Sequence, residues 1–170
     1  RGRAAMGRKS TRENKNIYQI SRENVNLTRE AAAEQLEFVS SDRIEKIESE
    51  KSVPHPDEIL AMAACYKNPS LCNYYCSHEC PIGKEHVPEV TVKDLSMITL
   101  EMLSTLNTLS KEKDRMIDIA ADGKVTEDEI SDFLRIKEYL EGMSLTIESF
   151  KLWIENTIAS GNVNPDFFKK

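Results

Sequence analysis

The chain has no long apolar run and few aromatic residues. No stretch of about 18 consecutive apolar residues occurs, which is the length that a transmembrane helix needs. Aromatic residues make up only 6% of the chain, which argues against a large β-sandwich. The first ten residues, RGRAAMGRKS, also lack an apolar segment, so we expect no secretory signal. These absences predict a cytoplasmic, largely helical protein.

The sequence motifs of common enzymes are absent too. The six glycines form no phosphate-binding loop, and no Gly-x-Ser-x-Gly motif occurs. Outside the cysteine-rich stretch, no histidine has a nucleophile partner at a suggestive spacing. We therefore expect no enzymatic activity.

The cysteines lie together rather than across the chain as disulfide staples would. Cys65 falls in an apolar segment, whereas Cys72, Cys76 and Cys80 are spaced four residues apart. On an unbroken helix the outer two would be about 12 Å apart, too far to share one zinc ion. A bend at Pro81 would be needed. We favour cysteines that only pack and no cofactor; a zinc or iron–sulfur site on Cys72, Cys76 and Cys80 is the alternative.

The chain is acidic overall, but its N-terminal end is basic. Lysine and arginine number 23 against 29 aspartates and glutamates, a formal net charge of −6. Residues 1–29 nevertheless carry a net charge of +6, because eight basic residues stand beside two acidic ones. Such a segment is typical of an electrostatic contact with nucleic acid, and equally of a solvated tail.

Four short helices are predicted in the first 68 residues. Thr28 is an N-cap before good helix formers, and a serine at 40 or 41 is the next one. Ile44 and Ile47 then recur at helical spacing, and two prolines around His55 interrupt the pattern. Helices this short are marginal alone, so we expect them to pack into one compact domain.

Residues 27–54, LTREAAAEQLEFVSSDRIEKIESEKSVP, resemble the Cro/lambda-repressor-like helix-turn-helix family, also called the xenobiotic-response-element type. Thr28 stands where that family opens its second helix, and Ala33 occupies its small-residue position. Ile44 and Ile47 match the end of its recognition helix. The chain departs from the family in having Glu37 at the turn glycine, Ser49-Glu50 in place of Asn-Gly, and one extra residue in the turn.

The resemblance covers residues 14–68 and implies a dimeric, sequence-specific transcriptional regulator that binds double-stranded DNA. The recognition helix, here about residues 40–49, would lie in the major groove. It implies a base contact for Arg43 and phosphate contacts for Lys46 and other basic residues. The expected DNA-binding residues are Arg8, Lys9, Arg12, Arg22, Arg29, Ser40, Ser41, Asp42, Arg43 and Lys46.

The C-terminal half predicts an antiparallel hairpin of two long helices. Apolar residues recur every seven positions from Leu95 to Met116 and again from Phe133 to Ile154. Asp122-Gly123 marks the turn, within a segment that approximates a calcium loop but for which we favour a capped turn. A hairpin alone buries little surface, so we expect it to pair with a second hairpin.

The predicted organisation is a basic arm at 1–13, a helix-turn-helix domain at 14–68, a Cys-rich helix and linker at 69–90, and the hairpin at 91–170, for dimerisation or signal reception. Two other functions stay open. One is a protein–protein adaptor that uses the hairpin, and the other is a metal- or redox-sensing regulator that acts through the three spaced cysteines.

Overall fold

The computed structural model describes residues 14–162, and all regular structure in that range is helical. This confirms the all-α class that the sequence predicts. In chain order, the helices are α1 (Ile17–Asn24), α2 (Arg29–Leu36), α3 (Ser41–Glu48), α4 (Pro56–Cys65), α5 (Ser70–His78), α6 (Pro81–His86), α7 (Leu95–Ala120) and α8 (Ile130–Ala159).

The described residues divide into two compact units, one ending at Glu89 but including residues from Glu155 onward, the other Val90–Ile154. The first unit contains the core of α1 to α5. Leu71 of α5 is fully buried in this core, so the packed domain extends beyond residue 68, where the sequence analysis ended it. The buried core side chains are Tyr18, Ala32, Leu36, Val39, Ile44, Ile47, Ile59, Met62, Ala63, Tyr66 and Leu71.

The segment interpreted from sequence as a linker contains a further helix, α6. Pro81 opens it, where a proline is pre-organised for the first helical position, and Cys80 precedes it as the N-cap. Gly83 lets α6 lie directly against α5, since a Cβ atom there would come within 2.0 Å of the Cys76 carbonyl oxygen. The linker assignment is therefore corrected, because proline here starts a helix.

Three helices of the first unit end in the same hydrogen-bonded motif. After α1, α3 and α4, the N–H groups of two consecutive residues donate to carbonyls of the last turn. The first of the two residues has a left-handed backbone conformation. That residue is Asn26, Glu50 and Lys67 respectively, with φ between 53° and 60°. Glu50 stands where the resembled family has glycine, and so does Glu37, with φ of 59°. The backbone thus adopts glycine-like conformations without glycine.

We expect Glu50→Gly to stabilise the first unit by about 0.5–1 kcal/mol, because glycine adopts positive φ without the Cβ clash. The measurement is amide hydrogen exchange in α3 under native conditions, which reports the free energy of opening. Asn26→Gly is the matched control: asparagine tolerates this conformation better, so its effect should be smaller. An equal or larger gain at Asn26 would contradict the strain assigned to Glu50.

In the second unit, α7 and α8 form an antiparallel pair. Arg115 Nε lies 2.6 Å from an Asp132 oxygen, and Arg135 Nη2 lies 3.0 Å from a Glu112 oxygen. As the partner on α7 moves toward the N-terminus, the partner on α8 moves toward the C-terminus, as antiparallel helices require. At the turn, Glu129 accepts hydrogen bonds from the backbone N–H and hydroxyl of Thr126. This is the capped turn favoured from the sequence.

Between residues 14 and 162, none of the helices combines the length and the apolar character needed to span a membrane.

Candidate nucleic-acid interface

Helices α2 and α3 are joined by a short turn, and each begins at a side-chain N-cap. Thr28 Oγ1 accepts from the Ala31 N–H at 3.1 Å, and Ser40 Oγ accepts from the Arg43 N–H at 3.2 Å. Ile44 and Ile47 point into the core and are at most 2% exposed. Because α3 buries this side, its opposite side is presented outward.

The turn between α2 and α3 is tight and exposes an aromatic residue. The Phe38 N–H donates to the Leu36 carbonyl at 2.6 Å, across Glu37 with its positive φ. Val39 is buried, but Phe38 is 61% exposed, next to the N-terminus of α3. Phe38 is not among the predicted DNA-binding residues. The one-residue-longer turn that contains it was the feature of the sequence that could have indicated its exposure.

The outward side of α3 combines serine, acidic and lysine side chains. Asp42 and Lys46 are exposed, Ser41 is half-buried, and Ser40 is exposed at the cap. Asp42 and Lys46 are four residues apart and share one face of α3, whereas Ser40 and Ser41 lie at its N-terminal end. Glu45, which the prediction did not include, is exposed on the same helix.

Arg22 lies in the interior of the domain, so the prediction that it contacts a DNA phosphate is corrected. The residue is 6% exposed, and its guanidinium donates to both Glu48 oxygens, at 2.6 and 2.9 Å, and to the Leu27 carbonyl at 2.6 Å. Arg29 Nε donates to the same carboxylate at 2.8 Å. Arg29 is only half-buried, so it keeps part of its surface toward solvent.

Arg43 is also held within the domain. Four of its five N–H donors bond to Glu58, the Ser52 hydroxyl and the Val53 carbonyl. A bidentate contact with guanine would require Arg43 to break its pair with Glu58. The prediction that Arg43 contacts a base is therefore corrected. Glu58 lies fifteen residues further along the chain, and nothing local in the sequence indicated that pairing.

The Arg43 guanidinium, as hydrogen-bond donor, holds the pKa of Glu58 below its ordinary value. A carboxyl group with a lowered folded-state pKa contributes stability above its unfolded pKa, about 4.3, and loses it as pH falls further. We therefore expect the first unit to lose stability from about pH 5 downward, and Glu58→Gln to flatten that loss. Hydrogen exchange at pH 3 to 6 measures how the free energy of opening changes with pH in the natural sequence and in Glu58→Gln. The same pH dependence in both would contradict the pairing of Glu58 with Arg43.

The exposed charges around α2 and α3 are mostly acidic. Lys46 is the basic residue that is exposed on these two helices, and Arg29 is partly paired. The exposed acidic residues between 29 and 48 are Glu30, Glu34, Glu37, Asp42 and Glu45. This surface therefore supplies little attraction for phosphate by itself. The predicted arm residues Arg8, Lys9 and Arg12 lie outside the described residues.

The three spaced cysteines span α5 and the start of α6. All are partly buried thiols, and none forms a disulfide. Burial raises the pKa of the Cys72 thiol above its ordinary value, and Cys80 Sγ accepts from the Gly83 N–H at 3.5 Å. Within residues 14–162, no three histidine, cysteine or acidic side chains are grouped so that they could hold a metal ion.

No protein-family model, no curated protein and no solved structure matches this chain.

Proposed function

We propose that the protein is a sequence-specific DNA-binding regulator that reads the major groove through α3. The observation that supports this most is the anchoring of α3. Its apolar side is buried through Ile44 and Ile47, and Asn16 Nδ2 donates to the Ile47 carbonyl at 2.9 Å. Asp42 and Lys46 are exposed on the opposite side. A short helix that is anchored along one side, with Asp42 and Lys46 exposed on the other, is the geometry that groove insertion needs.

In this proposal, the outward residues of α3 rather than Arg43 contact the bases. Ser41 can donate to or accept from a base edge, and Asp42 can accept from the amino group of cytosine. Lys46, one turn further along, reaches a guanine or a phosphate oxygen. Phe38 adds an exposed ring beside the same turn, a side chain suited to contact with a thymine methyl group.

The basic N-terminal segment makes the phosphate contacts in this proposal. The α2–α3 surface is acidic, so attraction to DNA requires positive charge from elsewhere in the chain. Residues 1–13 supply it, since five basic residues stand there beside Glu13, with Arg8, Lys9 and Arg12 as the arm. Base reading and phosphate binding are thus divided between two parts of the chain.

The experiment that tests this division is the salt dependence of binding to a duplex by the full-length chain. The triple variant Arg8→Ala, Lys9→Ala and Arg12→Ala should lower the slope of log affinity against log salt by about 2 to 3.

We expect Lys46→Ala to lower that slope by about 1, since it removes one α3 cation. Lys113→Ala is the control, because it removes the same charge from an exposed position in the second unit. Equal effects of Lys46→Ala and Lys113→Ala would exclude α3 from the interface.

A second candidate, a protein–protein adaptor, is favoured by the acidic α2–α3 surface, which would attract a basic partner. Absence of DNA binding even at low salt would select it.

A further inference from the structure

The second unit buries little of its own apolar surface. Among its described residues the buried apolar side chains are Ile98, Ile119, Ile136 and Leu152. Many more large apolar side chains are 40–64% exposed: Val92, Leu95, Met97, Leu100, Leu103, Leu106, Ile117, Val125, Ile130, Phe133, Leu134, Leu140 and Ile147. So few buried side chains cannot offset the ordering of two long helices, and apolar surface of this extent marks a contact with another molecule.

One face of α8 has the regular spacing of a helix–helix contact. Phe133, Leu140 and Ile147 are seven residues apart, so they lie in one row with about 10 Å between neighbours. They are 40–46% exposed, whereas Ile136, on the side toward the ion pairs with α7, is buried. An open groove of about 330 Å³ lies beside Leu140. α7 therefore covers the side of α8 that carries Ile136 and leaves the row of Phe133, Leu140 and Ile147 open.

The charges at the two ends of the row identify its partner. Glu129 and Lys151 each lie eleven residues from Leu140, on opposite sides, and Phe133 and Ile147 each lie seven residues from it. At about 100° per residue, all five side chains fall within about 40° of one another. Glu129 directly precedes α8, and its carbonyl accepts from the Phe133 N–H at 2.9 Å. The positions of the two outer apolar side chains are therefore symmetric about Leu140, and the charges at the two ends are opposite.

We propose that this face of α8 binds the same face of a second copy of the chain, antiparallel, with a two-fold axis at Leu140. In that arrangement Leu140 meets its own counterpart, and Phe133 meets the second copy's Ile147. Glu129 meets the second copy's Lys151, at both ends of the contact. Lys151 is now 2.7 Å from Glu148 in an exposed pair, which it can exchange at little cost. A partner with another sequence would have no need of this symmetry.

The first test is the mass of the full-length chain by sedimentation equilibrium. We expect a dimer for the natural sequence, and at least a 100-fold weaker association, on the order of two lost leucine contacts, for Leu140→Glu. Leu134→Glu is the control: Leu134 is 50% exposed on another side of α8, so its substitution should leave the dimer intact. Circular dichroism establishes that both variants keep their helices.

The second test concerns the antiparallel arrangement. Glu129→Lys and Lys151→Glu should each weaken the dimer about ten-fold, because each places like charges together at both ends. A mixture of the two single variants should form a heterodimer, in which both ends are again oppositely charged. A monomeric natural sequence, a dimer unaffected by Leu140→Glu, or no heterodimer in the mixture would each overturn the proposal. None of these results depends on DNA binding.

Discussion

Glu48→Ala is expected to destabilise the first unit by about 3–5 kcal/mol, the largest effect of any single substitution considered. The Glu48 side chain is 1% exposed and accepts from Arg22 and Arg29, so it is the common partner of two guanidinium groups. Its removal leaves the buried Arg22 charge without an anion, and a buried unpaired charge costs more than the pair contributes. Because α3 carries Glu48, the presentation of its outward side should be lost as well.

Hydrogen exchange in α1 to α4 measures this loss directly, because it reports the opening of the helices that the network joins. Glu45→Ala is the matched control on the same helix, where an exposed carboxylate lies 3.7 Å from Arg29, and it should cost at most about 0.5 kcal/mol. The double variant Arg22→Met and Glu48→Leu should recover much of the loss. A Glu48→Ala effect no larger than that of Glu45→Ala would contradict the account of the network.

Leu71→Ala is expected to cost about 2–5 kcal/mol, because the side chain is fully buried in the core that α1 to α4 share. The substitution removes buried carbons and leaves a cavity. This prediction distinguishes α5 as part of the domain from α5 as a segment of a linker.

The control for Leu71→Ala is Ile82→Ala, a comparable truncation in α6 at a side chain that is 74% exposed. It should change the free energy of unfolding by less than about 0.5 kcal/mol. Hydrogen exchange in α2 and α4 is the measurement in both cases. If those helices were unaffected by Leu71→Ala, α5 would not be part of their cooperative unit.

The helices of the first unit were largely predictable because their signals are local. Thr28 and Ser40 cap the helices that follow them, and Ile44 with Ile47 gives the buried side of α3. α6 was missed because the residues after Pro81 were assigned to a linker, although proline is also well suited to the first position of a helix.

The site was less predictable, because its electrostatics depend on contacts between distant residues. Arg22 pairs with Glu48 across 26 positions, and Arg43 pairs with Glu58 across fifteen. With 31% of the residues charged, the sequence offers many possible partners for each arginine. A basic side chain at a family position therefore does not indicate whether it faces DNA or the core. Arg22 and Arg43 therefore leave the proposed set of DNA contacts, whereas Asp42 and Lys46 remain in it.

The most direct test of the proposed function is selection of the full-length chain on a pool of random duplex DNA, followed by sequencing of the retained fraction. The proposal predicts an enriched motif with two-fold symmetry, and that Asp42→Ala changes the preferred bases within it. Retention without an enriched motif, or no retention at low salt, would contradict sequence-specific binding through α3.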